Sequence, residues 1–162
     1  MHIKTLVTNA LIAALYIAVS LIGEPIMFMN IQFRIPEIFN HLIVFNKKYF
    51  FGIVLGVLVT NIFSPLGMID LVFGLGHSII SLLIILLLAR YIKNTLVLMI
   101  TGTLVFTFNM FIIAYEIYLV SEMPISFTWM WLTTAIGEFT VMAVGIPIMY
   151  ALNKRLQFNK LV

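Results

Sequence analysis

Six apolar runs, separated by short stretches of charge, proline and glycine, set the layout of this chain. They cover residues 5–22, 36–45, 49–63, 68–91, 96–120 and 127–152. A helix needs about 20 apolar residues to cross a hydrocarbon core roughly 30 Å thick, and most of the runs reach or approach that length. The first ends at Gly23-Glu24-Pro25 and the third at Ser64-Pro65-Leu66-Gly67. The second is short and opens at Pro36, so it is expected to lie tilted or broken against its neighbours, shielded from lipid. No run alternates polar and apolar residues as a membrane barrel strand must. Helix is then the form that satisfies every backbone group inside lipid. The predicted class is an all-α integral membrane protein, a bundle of six transmembrane helices.

Composition agrees. Of 162 residues, 63% are hydrophobic and 9% charged, with a mean hydropathy of +1.17. Soluble domains carry about 25% charged residues, and a soluble chain of this size has too little interior to hide so much apolar surface. The first run is read as a span rather than a signal peptide. It lacks a small-x-small cleavage site, and equally apolar runs follow it. No repeat or linker divides the chain, so residues 1–162 read as one membrane-embedded domain.

Charge fixes orientation. With six spans both termini lie on one side, and that side collects Lys4, Lys47, Lys48, Arg90, Lys93, Lys154, Arg155 and Lys160. These are eight of the nine basic residues. Lysine and arginine mark cytoplasmic loops, so both termini are expected inside a cell membrane. Glu24, Glu37, Asp70, Glu116 and Glu122 gather toward the opposite, external side. Glu138 lies about eleven residues into the last run, near mid-membrane at 1.5 Å per residue.

The ninth basic residue, Arg34, stands three residues before Glu37 at the mouth of the second run. A charged group at the centre of a span costs roughly 2.5–3.5 kcal/mol, so such groups should face the bundle interior and one another. Other runs add polar groups at helical spacing. Asn61 is near the outer end of the third. Asp70, Gly74, His77 and Ser81 share one face of the fourth, Asn109 and Glu116 one face of the fifth, and Trp131, Thr134 and Glu138 one face of the sixth. The expectation is a pocket open to the outside, with Arg34, Glu37, Asn61, Asp70, Asn109, Glu116, Trp131 and Glu138 as candidate substrate-binding residues. Trp129 and Trp131 also suit an interfacial anchor.

Enzyme chemistry has no foothold. The chain has no cysteine, no HExxH, no GxSxG and no phosphate-binding GxxxxGK[ST]. No metal, cofactor or nucleic-acid partner is expected, and uphill transport would draw on an ion gradient or a partner ATPase. Two small-residue patterns bear on helix contacts: Ala10, Ala14 and Ala18 in the first run, and Gly52 and Gly56 in the third.

The stretch Ile31-Gln32-Phe33-Arg34-Ile35-Pro36-Glu37 resembles the IQFR-x-x-E signature of the QueT-type queuosine-precursor transporters. Ile69-Asp70-Leu71-Val72-Phe73-Gly74 is similar to that family's segment opening the fourth helix, and Asn61 and Gly137-Glu138 fall where its N and GE are expected. The sequence departs from the family at Ile35-Pro36, after Glu37 and beyond Gly74. The resemblance implies an S component, the substrate-capturing subunit of an energy-coupling factor transporter. Its partners would be a membrane scaffold subunit, met by the alanine stripe Ala10, Ala14 and Ala18, and two cytoplasmic ATPases.

It also implies a small, purine-like substrate, a 7-deazaguanine. One carboxylate accepts both N–H groups on the edge of such a base, which suits Glu138 or Glu37. An aminomethyl ammonium would suit Asp70 or Glu116, and Phe33, Phe73 or Trp131 would stack on the ring. An S component for another vitamin or base, or a stand-alone ion-coupled transporter, would use the same constellation.

Overall fold

The computed structural model describes residues 3–27, 31–64, 66–121 and 125–162, with backbone alone at 24–27. Among them every regular element is helical: α1 (Ile3–Met27), a 3-10 segment (Ile35–His41) running into α2 (Leu42–Phe45), α3 (Phe50–Ile62), α4 (Met68–Leu88), α5 (Thr95–Asn109), α6 (Phe111–Val120), α7 (Phe127–Leu156) and α8 (Phe158–Leu161). A short 3-10 turn, Lys47–Tyr49, leads into α3. Four helical stretches are long and apolar enough to cross a membrane: Ile3–Gly23, Met68–Leu88, Thr95–Val120 and Phe127–Leu156. Their outward faces are apolar, with Ile3, Ile22, Met68 and Val72 all exposed. Such a surface is stable in lipid and not in water.

The six apolar runs reappear in order, with three differences in detail. The helix of the first run does not stop at Gly23-Glu24-Pro25 but continues to Met27. A proline that close to a helix end removes one hydrogen bond without breaking the helix. The fifth run turns at Met110, where α5 gives way to α6. The sixth extends to Leu156 and passes through Pro147. It ends at Gln157, whose left-handed backbone (φ 49°) turns the chain into α8.

The second run is broken, as its length and Pro36 suggest. Its tight 3-10 coil buries Pro36, Glu37, Asn40 and His41, packed between α1 and α7. Irregular backbone at membrane depth needs this shielding by protein. His41 Nε2 lies 2.9 Å from the Met142 carbonyl of α7, which ties the coil to that helix.

Glycines set the closest approaches. α3 meets α1 through Gly52 and Gly56, where a Cβ would strike Asn9 and the Tyr16 ring. The Gly52 amide donates to Asn9 Oδ1 at 2.8 Å, so the GxxxG pattern packs inside the bundle. α7 meets the non-helical residues before the 3-10 coil through Gly137, where a Cβ would overlap the backbone of Gln32. On the opposite edge, α8 presents carbonyls to α1 and to the turn before α3. Lys4 Nζ, Thr8 Oγ1 and Tyr49 OH donate to Lys160, Leu161 and Phe158 at 2.8, 3.0 and 2.8 Å.

The Gly137 contact yields a test. Backbone cannot swing aside as a flexible side chain can, so Gly137→Ala should destabilise the protein by about 1–3 kcal/mol, the usual range for overpacking. Thermal unfolding in detergent should show a lower midpoint. A midpoint equal to wild type would mean that α7 and residues 31–34 are not held this tightly.

Candidate functional site

Five ionisable side chains from five segments are buried together. Arg34, just before the 3-10 coil, is 5% exposed, Glu37 within it 1%, Asp70 on α4 2%, and Glu116 on α6 and Glu138 on α7 0%. Arg34 is central. Its Nη1 lies 3.9 Å from Glu37 Oε1 and its Nη2 3.6 Å from Asp70 Oδ1. At those separations the pairing is coulombic rather than a bidentate hydrogen-bonded fork. Beyond this core, Glu138 is in the electrostatic neighbourhood of Glu37 and Arg34, and Glu116 in that of Asp70 and Arg34.

The surroundings treat the four carboxylates unequally. Glu37 is held on both oxygens: Tyr16 OH donates to Oε1 at 3.2 Å and Asn40 Nδ2 donates to Oε2. Asp70 is placed by its helix, since Asn61 Nδ2 donates to the Asp70 carbonyl at 3.3 Å. Gly74, one turn on, leaves the room this needs; a Cβ there would meet Asn61 and stand 2.9 Å from Asp70 Oδ1. Asp70 Oδ2, both oxygens of Glu116 and both of Glu138 are buried without a hydrogen-bond partner among the described residues. A buried polar atom left so is costly.

The polar stripe on α4 continues inward from Asp70. His77 Nε2 lies 3.3 Å from the Phe106 carbonyl of α5, leaving its buried Nδ1 without a partner among the described residues. Ser81 Oγ accepts from Asn109 Nδ2 at 2.9 Å. Asn109 therefore joins α5 to α4 and does not hydrogen-bond to the ionic cluster. Trp131 is likewise engaged elsewhere. Its Nε1 donates to the Phe108 carbonyl at 3.1 Å, and its ring packs on Phe108, Phe111 and Phe127. Trp129 is exposed, as an interfacial anchor would be. The external acids Glu24 and Glu122 lie outside the described side chains.

Two contributors escaped the sequence reading, Tyr16 and Asn40. Tyr16 carried a signal. Thr5, Asn9, Tyr16 and Ser20 recur at helical spacing on α1 and are all buried. Ala10, Ala14 and Ala18 lie on its exposed side. Asn40 carried none, because its reach to Glu37 depends on the 3-10 coil.

A helical protein with several apolar membrane-crossing helices and a buried, half-satisfied ionic centre has the make-up of a small-molecule carrier. Residues 6–154 match the family described as QueT transporter. The chain is also 32% identical over 166 aligned positions to the queuosine precursor transporter QueT of Lactococcus lactis subsp. cremoris (strain MG1363), covering 96% of this chain and 95% of that one. No solved structure matches. The chain belongs to the QueT family of queuosine precursor transporters, multi-pass membrane proteins and not enzymes.

Among the described residues Arg34 is the only buried arginine or lysine, so its removal leaves carboxylates facing one another. Arg34→Met should destabilise by about 3–5 kcal/mol, the range for breaking a buried pair. Adding Glu37→Gln and Asp70→Asn should recover most of the loss. Unfolding midpoints in detergent check both expectations. An Arg34→Met protein as stable as wild type would show that the ion pairs do not hold the fold.

Proposed function

We propose that this chain is the substrate-capturing S component of an energy-coupling factor importer in a bacterial cell membrane. It crosses the membrane six times with both termini cytoplasmic, and it binds a 7-deazaguanine-like queuosine precursor from outside. The observation that carries the reading is the set of buried carboxylates around Arg34, two of which, Glu116 and Glu138, have no hydrogen-bond partner among the described residues. A base rich in N–H donors would satisfy such acceptors. The name of the Lactococcus relative supports the choice of precursor.

Six spans follow if the broken second run and the 13-residue α3 cross beside the four long helices. In that count Thr95–Val120 is one span. The distribution of lysine and arginine supports the orientation. The exposed Ala10, Ala14 and Ala18 support a scaffold partner, because small residues let a second helix approach closely. Two cytoplasmic ATPases would complete the importer. In this reading Arg34, Glu37, Asp70, Glu116 and Glu138 contact substrate. Asn61 positions Asp70 and Asn109 braces α4. Trp131 closes the outer end.

Native mass spectrometry of detergent-purified protein should reveal a bound 7-deazaguanine. Glu138→Gln should weaken that binding by about 1–3 kcal/mol, measured by calorimetric titration. No bound base, even after titration with deazaguanines, would overturn the substrate assignment. Ala14→Leu should abolish co-purification with the scaffold subunit and leave ligand binding intact. Continued assembly would remove the alanine stripe from the interface.

A further inference from the structure

One end of the bundle is basic throughout. Lys93 precedes α5, Lys154 and Arg155 stand in the last turn of α7, and Lys4 meets Lys160 of α8. No Asp or Glu occurs from residue 71 to 115 or beyond 138. The ion pairs among the described residues are those of Arg34. The charges at this end are therefore left to a counter-charge from outside the chain.

A cleft of about 400 Å³ opens here between the start of α5 and the end of α7, within the size range of small-ligand sites. Asn94, Thr95, Leu96, Tyr150, Asn153 and Lys154 line it. Its polar groups are chiefly donors. Asn153 Oδ1 accepts the Phe158 amide at 3.0 Å, which leaves Nδ2 as the group this residue offers the cleft. Lys154 Nζ stands 5.1 Å from the centroid of the Tyr150 ring. That cation–π contact holds the ammonium beside the cleft and leaves its N–H donors for a further partner. Donors grouped around an ammonium suit a phosphate.

The apolar side of the cleft says what carries that phosphate. Leu96 lines it, and Ile100 and Leu104 follow along α5 at four-residue spacing, 44%, 46% and 55% exposed. Leu96 to Leu104 spans about 12 Å at 1.5 Å per residue, within the roughly 15 Å depth of one leaflet's hydrocarbon. Leu104 also borders a second cavity between α5 and α7, about 600 Å³ in volume, with Phe108, Leu132 and Ala135. A soluble anion gains nothing from this path, whereas an acyl chain fills it.

We propose that the seam between α5 and α7 binds one anionic phospholipid. Lys154, Asn153 and Tyr150 hold its phosphate, and an acyl chain lies along Leu96, Ile100 and Leu104. Basic pockets between membrane helices take anionic head groups in this way, and a lysine stem can lie on apolar surface while its ammonium reaches the phosphate. A head group that adds an ammonium of its own binds less well, because this end has no carboxylate to receive it. The site shares no residue with the Arg34 cluster and does not depend on what the protein carries.

The test is titration of the purified protein in detergent with phosphatidylglycerol and, separately, with phosphatidylcholine of matched chains, bound lipid being read by native mass spectrometry. Wild type should hold one phosphatidylglycerol about fivefold or more tightly, the preference one lysine near an anionic lipid gives. Lys154→Gln should bring the two affinities together. Lys47→Gln, at the same end but outside the cleft, should leave the preference in place. Both lysines are exposed, so unfolding midpoints without lipid should match wild type. Equal wild-type affinity for the two lipids would overturn the site, as would a preference that Lys154→Gln leaves untouched. Equal loss in both variants would assign the preference to the diffuse charge of this end and overturn the cleft. Displacement of the lipid by an excess of glycerol phosphate would overturn the acyl-chain assignment.

Discussion

A guanidinium shut away from water governs this structure. Arg34 cannot sit in lipid unless carboxylates come to it, and the elements that bring them have little freedom in how they pack. Glu37 arrives because the chain coils into a 3-10 segment directly after Arg34. Asp70 arrives on the first turn of α4, placed by Asn61 from α3. The non-helical residues before the coil have backbone groups that lipid could not satisfy. α7 covers them, and it comes close enough only because position 137 has no side chain. The ion pairs, the broken second run and the glycine of α7 are thus one constraint met in three places.

α1 divides that interior from the lipid. Its inward face carries Thr5, Asn9, Tyr16 and Ser20, all buried, and three of them reach another element. Asn9 links Thr5 to Gly52 of α3, Ser20 meets Thr60, and Tyr16 reaches Glu37. Its outward face is alanine and large aliphatic residues. The two small-residue patterns therefore serve different neighbours. Gly52 and Gly56 are occupied by α1 itself, while Ala10, Ala14 and Ala18 face outward. A partner docked there would lie one helix away from Glu37, with the Tyr16 hydroxyl as the direct link between helix and site.

Much of this was legible in the sequence. Apolar runs are dictated by the bilayer, so their order survives, and the spacing of Asp70, Gly74, His77 and Ser81 names a face that is buried as expected. The short second run reads correctly as broken, since Pro36 and its length allow little else. What periodicity does not carry is the identity of a partner. Asn109 and Glu116 stand seven apart, yet the turn at Met110 separates their helices and Asn109 bonds Ser81 instead. Trp131 shares a face with Glu138, but a backbone carbonyl on α5 and three phenylalanine rings engage it. Asn40 meets Glu37 only through a coil tighter than an α-helix. Each case turns on a tertiary contact chosen between several chemically adequate ones.

The unequal satisfaction of the carboxylates is what separates a carrier site from a structural knot. A fully paired polar network rigidifies a core, whereas a partly paired one remains high in energy until something completes it. Glu37 belongs to the first kind: two neighbours fix it, and it can hold Arg34 whether or not a ligand is present. Glu116 and Glu138 belong to the second, at opposite ends of the same cluster. A ligand that completes both ends would pull on α4, α6 and α7 together, and one that reached a single end would not. Recognition and the drawing together of the helices would then be the same event, as suits a protein that carries its substrate across a membrane.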